Sequence, residues 1–257
     1  MPSDSNEEPS FVWKQPKVAH TFTDIRDSVP LAKEQLDLLV RIVRYFSPGD
    51  AKDSTSNVTW LDLGCGDGPL SRKLLREFPD AKGILLDFSD PMLEAAKSRI
   101  EELGMCHRAT FVNGDLSQPE WVDSVPPGHN DIDIVVSSFA IHHLTDERKQ
   151  ELYREIHEIL SPGGVFLNLE HIASPDKDVE GLFDGAFVYS MYRHFQGTKT
   201  LEECQKAVAY DLSVDEDANI LAPVDTQCEW LREIGFQHVD CYFKFLILAL
   251  FGGVKAR

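Results

Sequence analysis

A strand-like apolar run that ends in three glycines at alternate positions is the first stretch of this chain equipped to hold a ligand. It reads WLDLGCGDGPL over 60–70, with Cys65 and Asp67 separating Gly64, Gly66 and Gly68. Glycines remove Cβ atoms so that backbone can approach a bound group, and the amides that open the next helix can receive negative charge. A dinucleotide fingerprint, G-x-G-x-x-G, would need its third glycine at position 69, which is Pro69. With Asp62 inside the preceding strand, the turn suits a ligand carrying an ammonium group better than one presenting a pyrophosphate.

Other chemistry-bearing residues close later β-rich runs. Asp87 ends ILLD, Asp115 follows Asn113 and Gly114, and Ser137 precedes FAIHHL, in which His142 and His143 are adjacent. A carboxylate offers two acceptor oxygens, enough to hold a pair of hydroxyls, although Asp87 and Asp115 would also serve as helix N-caps. His142, His143, Glu170, Tyr189, Tyr192 and His194 are the groups able to take a proton from an acceptor. The two histidines could equally hydrogen-bond backbone behind a buried strand.

These residues need a frame that brings strand ends together. Strands are expected at 59–63, 83–87, 109–113, 132–138 and 164–169, alternating with helices at 69–77, 91–103 and 145–160 and a loop-rich 118–130. Such alternation predicts an α/β fold, a Rossmann-like doubly wound and mostly parallel sheet with helices on both faces. Ahead of it, 31–46 has helical apolar spacing, and a polar linker covers 47–57. The pattern breaks after Glu170. The stretch 171–227 shows no clear strand, clusters Phe183, Phe187, Tyr189, Tyr192 and Phe195, and carries an acidic loop at 211–219, so it reads as an inserted helical lid. A helix at 227–234 stopping at Gly235 and a closing β-tail at 236–254 complete the chain.

With 25 basic against 43 acidic side chains, net −18, and no basic tract, nucleic acid is a poor partner. The opening MPSDSNEEPS lacks the features of a secretory signal and reads as a loose acidic tail over 1–20. The longest apolar run, 245–251, is too short for a membrane span. Five widely spaced cysteines with no C-x-x-C pair fit reduced thiols in a cytoplasmic protein and no metal site.

Taken in order, LDLGCGDG, the acid of ILLDFSDPML, NGDL, SSFAIHHL and LSPGGVFLNLE resemble the successive motifs of class I S-adenosylmethionine-dependent methyltransferases over about 59–169. The resemblance implies a single domain over 21–257 with its lid at 171–227, and S-adenosylmethionine as cofactor. It implies that Asp62, Gly64, Cys65, Gly66 and Gly68 border the amino-acid portion, that Asp87 takes the ribose hydroxyls, that Asp115 and Leu116 hold the adenine, and that Phe88, Met92 and Ser137 also belong to the cofactor site. Cys65 is then ordinary loop filler. Catalysis would fall to His142, His143, Glu170 or Tyr192, acting on a small-molecule acceptor, with a homodimer possible. The flanks, FTDIRDSVP at 22–30, Gln205-Lys206 and WLREIGFQHVDCYFKF at 230–245, are similar to the carboxy-S-adenosylmethionine synthases. Those enzymes are expected to place an arginine after the Gln-Lys pair for an extra carboxylate and a tyrosine after Ser-Val-Pro-Gly; here Ala207 and Leu31-Ala32 stand there. Methyl transfer is therefore the leading expectation, with the synthase reaction and a non-catalytic cofactor-binding module as alternatives.

Overall fold

Alternation along the buried strands determines which helix each side chain meets. In a computed structural model describing residues 26–46, 58–126, 132–174 and 176–257, strand β1 (Thr59–Leu63) has Trp60 on one face and Leu61 and Leu63 on the other. β2 (Lys82–Asp87), β3 (Ala109–Asn113), β4 (Ile132–Ser138) and β5 (Leu160–His171) lie parallel to it. β6 (Gln237–Phe245) and β7 (Leu248–Val254) form an antiparallel hairpin with β7 paired to β5. The order is β3-β2-β1-β4-β5-β7-β6, so it reverses between β1 and β4, where a doubly wound sheet opens its ligand crevice.

One face is covered by α1 (Ala32–Phe46), α2 (Pro69–Glu77) and α3 (Asp90–Glu101), whose Leu39, Val43, Leu70, Leu74, Ala96 and Ile100 pack on Trp60, Leu85 and Val136. The other is covered by α4 (Asp146–Ile159) and α7 (Val224–Ile234), whose Leu152, Ile156, Cys228 and Leu231 meet Leu61, Val135, Phe166 and Phe251. Fully burying each such aliphatic chain contributes about 1.5–3 kcal/mol against the entropy of ordering it.

The 171–227 stretch differs in detail from its sequence reading. β5 runs on to His171, while α5 (Lys177–His194) and α6 (Leu201–Ala218) fold against each other and take in the acidic residues expected to form a loop. α5 buries Phe183, Phe187 and Met191, at helical spacing, against Cys204 and Val208 of α6 and Ile247 and Leu248 of the β-hairpin. Its outer face leaves Leu182 and Tyr189 exposed. A 3-10 turn, Arg26–Ser28, packs on α5 and leads into α1. The acidic tail expected over 1–20 and the linker at 47–57 lie outside the described residues. Among those described, no helix is long and apolar enough to cross a membrane.

Candidate active site

The three glycines of the first turn are needed for three different reasons. The amides of Gly64 and Cys65 both donate to the Leu86 carbonyl, at 2.8 and 3.0 Å, drawing the turn over the end of β2. Gly64 sits at φ +67, where a Cβ would come within 2.2 Å of Ala140 Cβ, so it permits contact between the loops after β1 and β4. Gly66, at φ +53, has no atom within 4 Å of its absent Cβ and opens onto a cavity. Gly68 does not line that cavity; it is the left-handed residue that starts α2, ahead of Pro69.

The cavity measures about 440 Å³, within the range of small-molecule sites, and occupies the crevice at the sheet's reversal. Cys65, Phe88, Met92, Asp115 and Leu116 border it, as does Asp87. Asp87 accepts from Gly66 N at 2.8 Å through Oδ2 and from Ser89 N at 2.9 Å through Oδ1, which fixes the carboxylate plane at the wall. Burial pushes its carboxyl up to about 6, while those amides act in the opposite direction. Burial likewise raises the Cys65 thiol, which argues against a thiolate nucleophile there. The space beyond Gly66, flanked by a carboxylate with lone pairs to offer, fits a nucleoside ligand with vicinal hydroxyls.

Besides Gly68, two expected cofactor residues lie away from the cavity. Asp62 is 1% exposed and away from the cavity, because strand alternation puts it on the same face as Trp60, beneath α2. There it accepts from Ser71 Oγ at 2.5 Å, and burial pushes it up to about 7. It braces the strand-to-helix turn. Ser137 is fully buried and ties β4 to β1 by donating to the Leu63 carbonyl at 2.8 Å. Its neighbours Ser138 and Phe139 face the cavity instead.

Sequence reasoning overlooked Arg26, Arg148, Phe139 and Ile220, all of which line the cavity. Arg26, from the turn before α1, meets buried Asp67, which Arg99 and Arg72 also approach. Three guanidinium groups thus gather about one carboxylate, and Arg26 is also held by Asp27. Burial first, then the charges of Arg26 and Arg76, pulls Arg72 down to about 10. The only signal for Arg26 was its place just before Ser28-Val29-Pro30. Arg148 is engaged by Glu155 and by the Leu116 carbonyl, so it holds the loop after β3.

Beyond β4, His142 Nδ1 lies 2.5 Å from Glu170 Oε2. Glu170 also accepts from the amides of Ile141 at 2.8 Å, Ala140 at 3.3 Å and His171 at 3.2 Å. These donors favour a carboxylate, so the imidazole carries its proton on Nδ1 and donates it. Burial drives His142 and His143 down to about 3 and raises Glu170 to about 7, so that where the pair is charged the charge sits on the glutamate. His143 packs against His142 at 4.0 Å between centroids with the rings tilted by 49°, donates from Nδ1 to the Ala218 carbonyl at 3.2 Å, and lines the cavity. His142 and Glu170 stand behind it. Tyr192 is not at the site: it follows inward-facing Met191 by one residue, about 100° around α5, and is 37% exposed.

A sheet of this order, with a glycine turn at the end of β1 and an acid at the end of β2, is the arrangement that the resemblance to class I S-adenosylmethionine-dependent methyltransferases implies. The chain matches, over residues 61–164, the family described as Methyltransferase domain. It is 27% identical over 251 residues to the carboxy-S-adenosyl-L-methionine synthase of Desulfotalea psychrophila, covering 94% of this chain and 91% of that protein. Human N-acetylserotonin methyltransferase in complex with SAM shares its fold, with TM-score 0.61 and 16% identity over 100% of this chain and 61% of that one. Haemonchus contortus phosphoethanolamine N-methyltransferase 2 in complex with S-adenosyl-L-methionine gives TM-score 0.64 and 16% identity over 100% of this chain and 62% of its own.

Proposed function

We propose that the chain transfers the methyl group of S-adenosylmethionine to a small-molecule acceptor, in a reducing cytoplasm and without nucleic acid. The observation that carries this reading is Asp87, held by two backbone amides at the cavity wall across from the open side of Gly66. Its remaining lone pairs would accept both ribose hydroxyls. Arg26, at the cavity wall, would face the carboxylate of the amino-acid portion, with Phe88, Met92, Asp115 and Leu116 about the nucleoside. When bound, the cofactor supplies a methyl carbon already activated by the sulfonium, so the protein's contribution is mainly positioning. His143, backed by His142 and Glu170, is unprotonated at neutral pH and adds no positive charge beside a cationic donor. Its acceptor nitrogen would orient an N–H, O–H or S–H group of the acceptor and take up the proton only as transfer proceeds.

The helical pair α5–α6 would shield the acceptor side from water, and it offers an apolar surface on which a second copy could dock. A second reading, carboxy-S-adenosylmethionine synthesis, is favoured by the near full-length similarity to that synthase. Incubating the protein with methyl-labelled cofactor and a panel of small thiols, amines, phenols and carboxylates, followed by mass analysis, tests the main reading. Labelled acceptor is expected. Cofactor binding with no labelled product from any class would point to a non-catalytic binding module.

A further inference from the structure

Phe139 holds a bulky side chain at a backbone angle that L residues avoid. Its φ is +54, and of the four non-glycine residues at positive φ among those described, it alone lines the cavity. Leu31 and Leu246 stand in turns, and His238 at a register shift in β6. The angle redirects the ring. Along β4, Ile134 and Val136 face the side of α1, α2 and α3 while Val135 faces that of α4 and α7, so in a continuing strand Phe139 would point with Val135. Instead it packs toward the first side and onto the α5–α6 cluster, with His171 edge-on at 6.4 Å between centroids. Its amide still donates to the Leu169 carbonyl at 2.9 Å, which ties the turn to β5. Val29, of the segment that carries Arg26, joins the same cluster, and the next residue, Ala140, is the one that Gly64 approaches. The ring therefore belongs to the wall by the glycine turn and Arg26, where the amino-acid half of the cofactor was placed above.

We propose that Phe139 is a specificity-determining residue of the cofactor site, its ring turned inward to face the sulfonium and so to distinguish S-adenosylmethionine from the neutral adenosylhomocysteine. The proposal rests on the S-adenosylmethionine reading of the cavity. A sulfonium is a permanent cation with no N–H or O–H to donate, and an aromatic face attracts such a charge without needing a hydrogen bond. The carboxylates of the wall already accept from protein donors: Asp87 from two amides, Asp115 from Ser117 N at 2.9 Å, and Asp67 from Arg26. Leu86, Met92 and Leu116 of the wall are apolar. The other phenylalanine there, Phe88, directly follows Asp87 and belongs with the nucleoside. In transfer, the acceptor's electron pair forms the new bond to the methyl carbon, and the pair of the broken C–S bond stays on sulfur as a neutral thioether. The attraction then ends. It serves binding of fresh cofactor and release of the spent one, and leaves the barrier to be lowered by other groups.

The test needs no acceptor. Calorimetry on the full chain measures the affinities for S-adenosylmethionine and adenosylhomocysteine, and their ratio is the readout. Phe139→Leu keeps an apolar side chain of a type that already holds positive φ at Leu31 and Leu246. It is expected to lower the preference for S-adenosylmethionine about 5- to 25-fold, with Phe139→Tyr close to native and Phe88→Leu weakening both ligands alike. A purely structural role for Phe139 would move both affinities together, so an unchanged ratio in a folded Phe139→Leu protein would overturn the proposal. Should that variant fail to fold, fluorinated phenylalanines installed at position 139 decide, because fluorine withdraws charge from the ring face at nearly constant shape. The preference should fall with each added fluorine, and a flat series would overturn the proposal. Native protein that binds neither ligand would reject the cofactor reading and this proposal with it. Absence of methyl transfer with these ratio shifts present would reject the transfer reading alone.

Discussion

Asp87 binds the glycine turn to the end of β2 and, in the proposed complex, the ribose to both. Replacing it by alanine removes two charge-assisted hydrogen bonds to the ligand and the acceptor for Gly66 N, about 2–4 kcal/mol, so calorimetric affinity for adenosylhomocysteine should fall about 30- to 700-fold. An unchanged affinity would sink the assignment. Its protonation gives a second expectation. Burial raises the carboxyl to about 6, and only the ionised form can accept from both hydroxyls. Affinity should therefore be level above about pH 7 and decline as pH falls through 6, approaching tenfold per unit, with Asp87→Asn flattening this limb. The place of Asp87 at the cavity wall was legible in sequence because an acid ending the second strand falls at the crevice of a doubly wound sheet. Asp62 was misread because its proximity to the turn hid the alternation that points it at Ser71. Arg26 was missed because its 41-residue separation from Asp67 leaves no local pattern.

The strand-to-helix turn makes its own prediction, since two of its glycines should fail in opposite ways. Gly64→Ala forces a Cβ to within 2.2 Å of Ala140 at φ +67, costing about 1–3 kcal/mol in backbone strain with overpacking added, and should lower Tm by several degrees. Pairing it with Ala140→Gly should restore the packing share only. Gly66→Ala meets no protein atom within 4 Å, so it should cost only about 1–2 kcal/mol for its left-handed backbone while its methyl group fills ligand space. Melting curves beside binding isotherms separate the cases; a Gly66→Ala protein with native affinity would move the ligand elsewhere. The parallel strands were readable because continuous apolar runs with turn residues between them have one economical arrangement. The α5–α6 pair was less so. Its aromatics divide between Phe183 and Phe187, which are buried, and Tyr189 and Tyr192, which are not, a division set by helix phase against the β-hairpin rather than by residue type.

Over the whole molecule, a net charge of −18 opposes any phosphate backbone, and the guanidinium groups nearest the site are drawn inward onto Asp67. Bulk tRNA should accordingly neither bind with salt-sensitive micromolar affinity nor gain label; either result would show a basic surface in use. The same distribution of cations bears on which reaction the site runs. A carboxylate added at the sulfonium methyl must be desolvated in the crevice, and burying it without a bidentate partner costs several kcal/mol. At the position where a synthase arginine was expected stands Ala207, partly buried against the α5–α6 cluster. Its neighbour Lys206 is 73% exposed and paired with Glu202, on the outside of α6. Arg26 does reach the cavity, held by Asp67 and Asp27, and in the proposed complex it would face the single carboxylate of ordinary S-adenosylmethionine, while Arg148 is committed to Glu155. In that complex one carboxylate of the ligand would have a partner and a second none. Ordinary S-adenosylmethionine should thus bind at least as tightly as the carboxylated form, and supplying prephenate should yield no carboxylated product. Introducing Ala207→Arg should narrow the gap if the guanidinium can turn inward. Tighter binding of the carboxylated form by the native protein would instead assign Arg26 to the added carboxylate and move the chain to the synthase reaction.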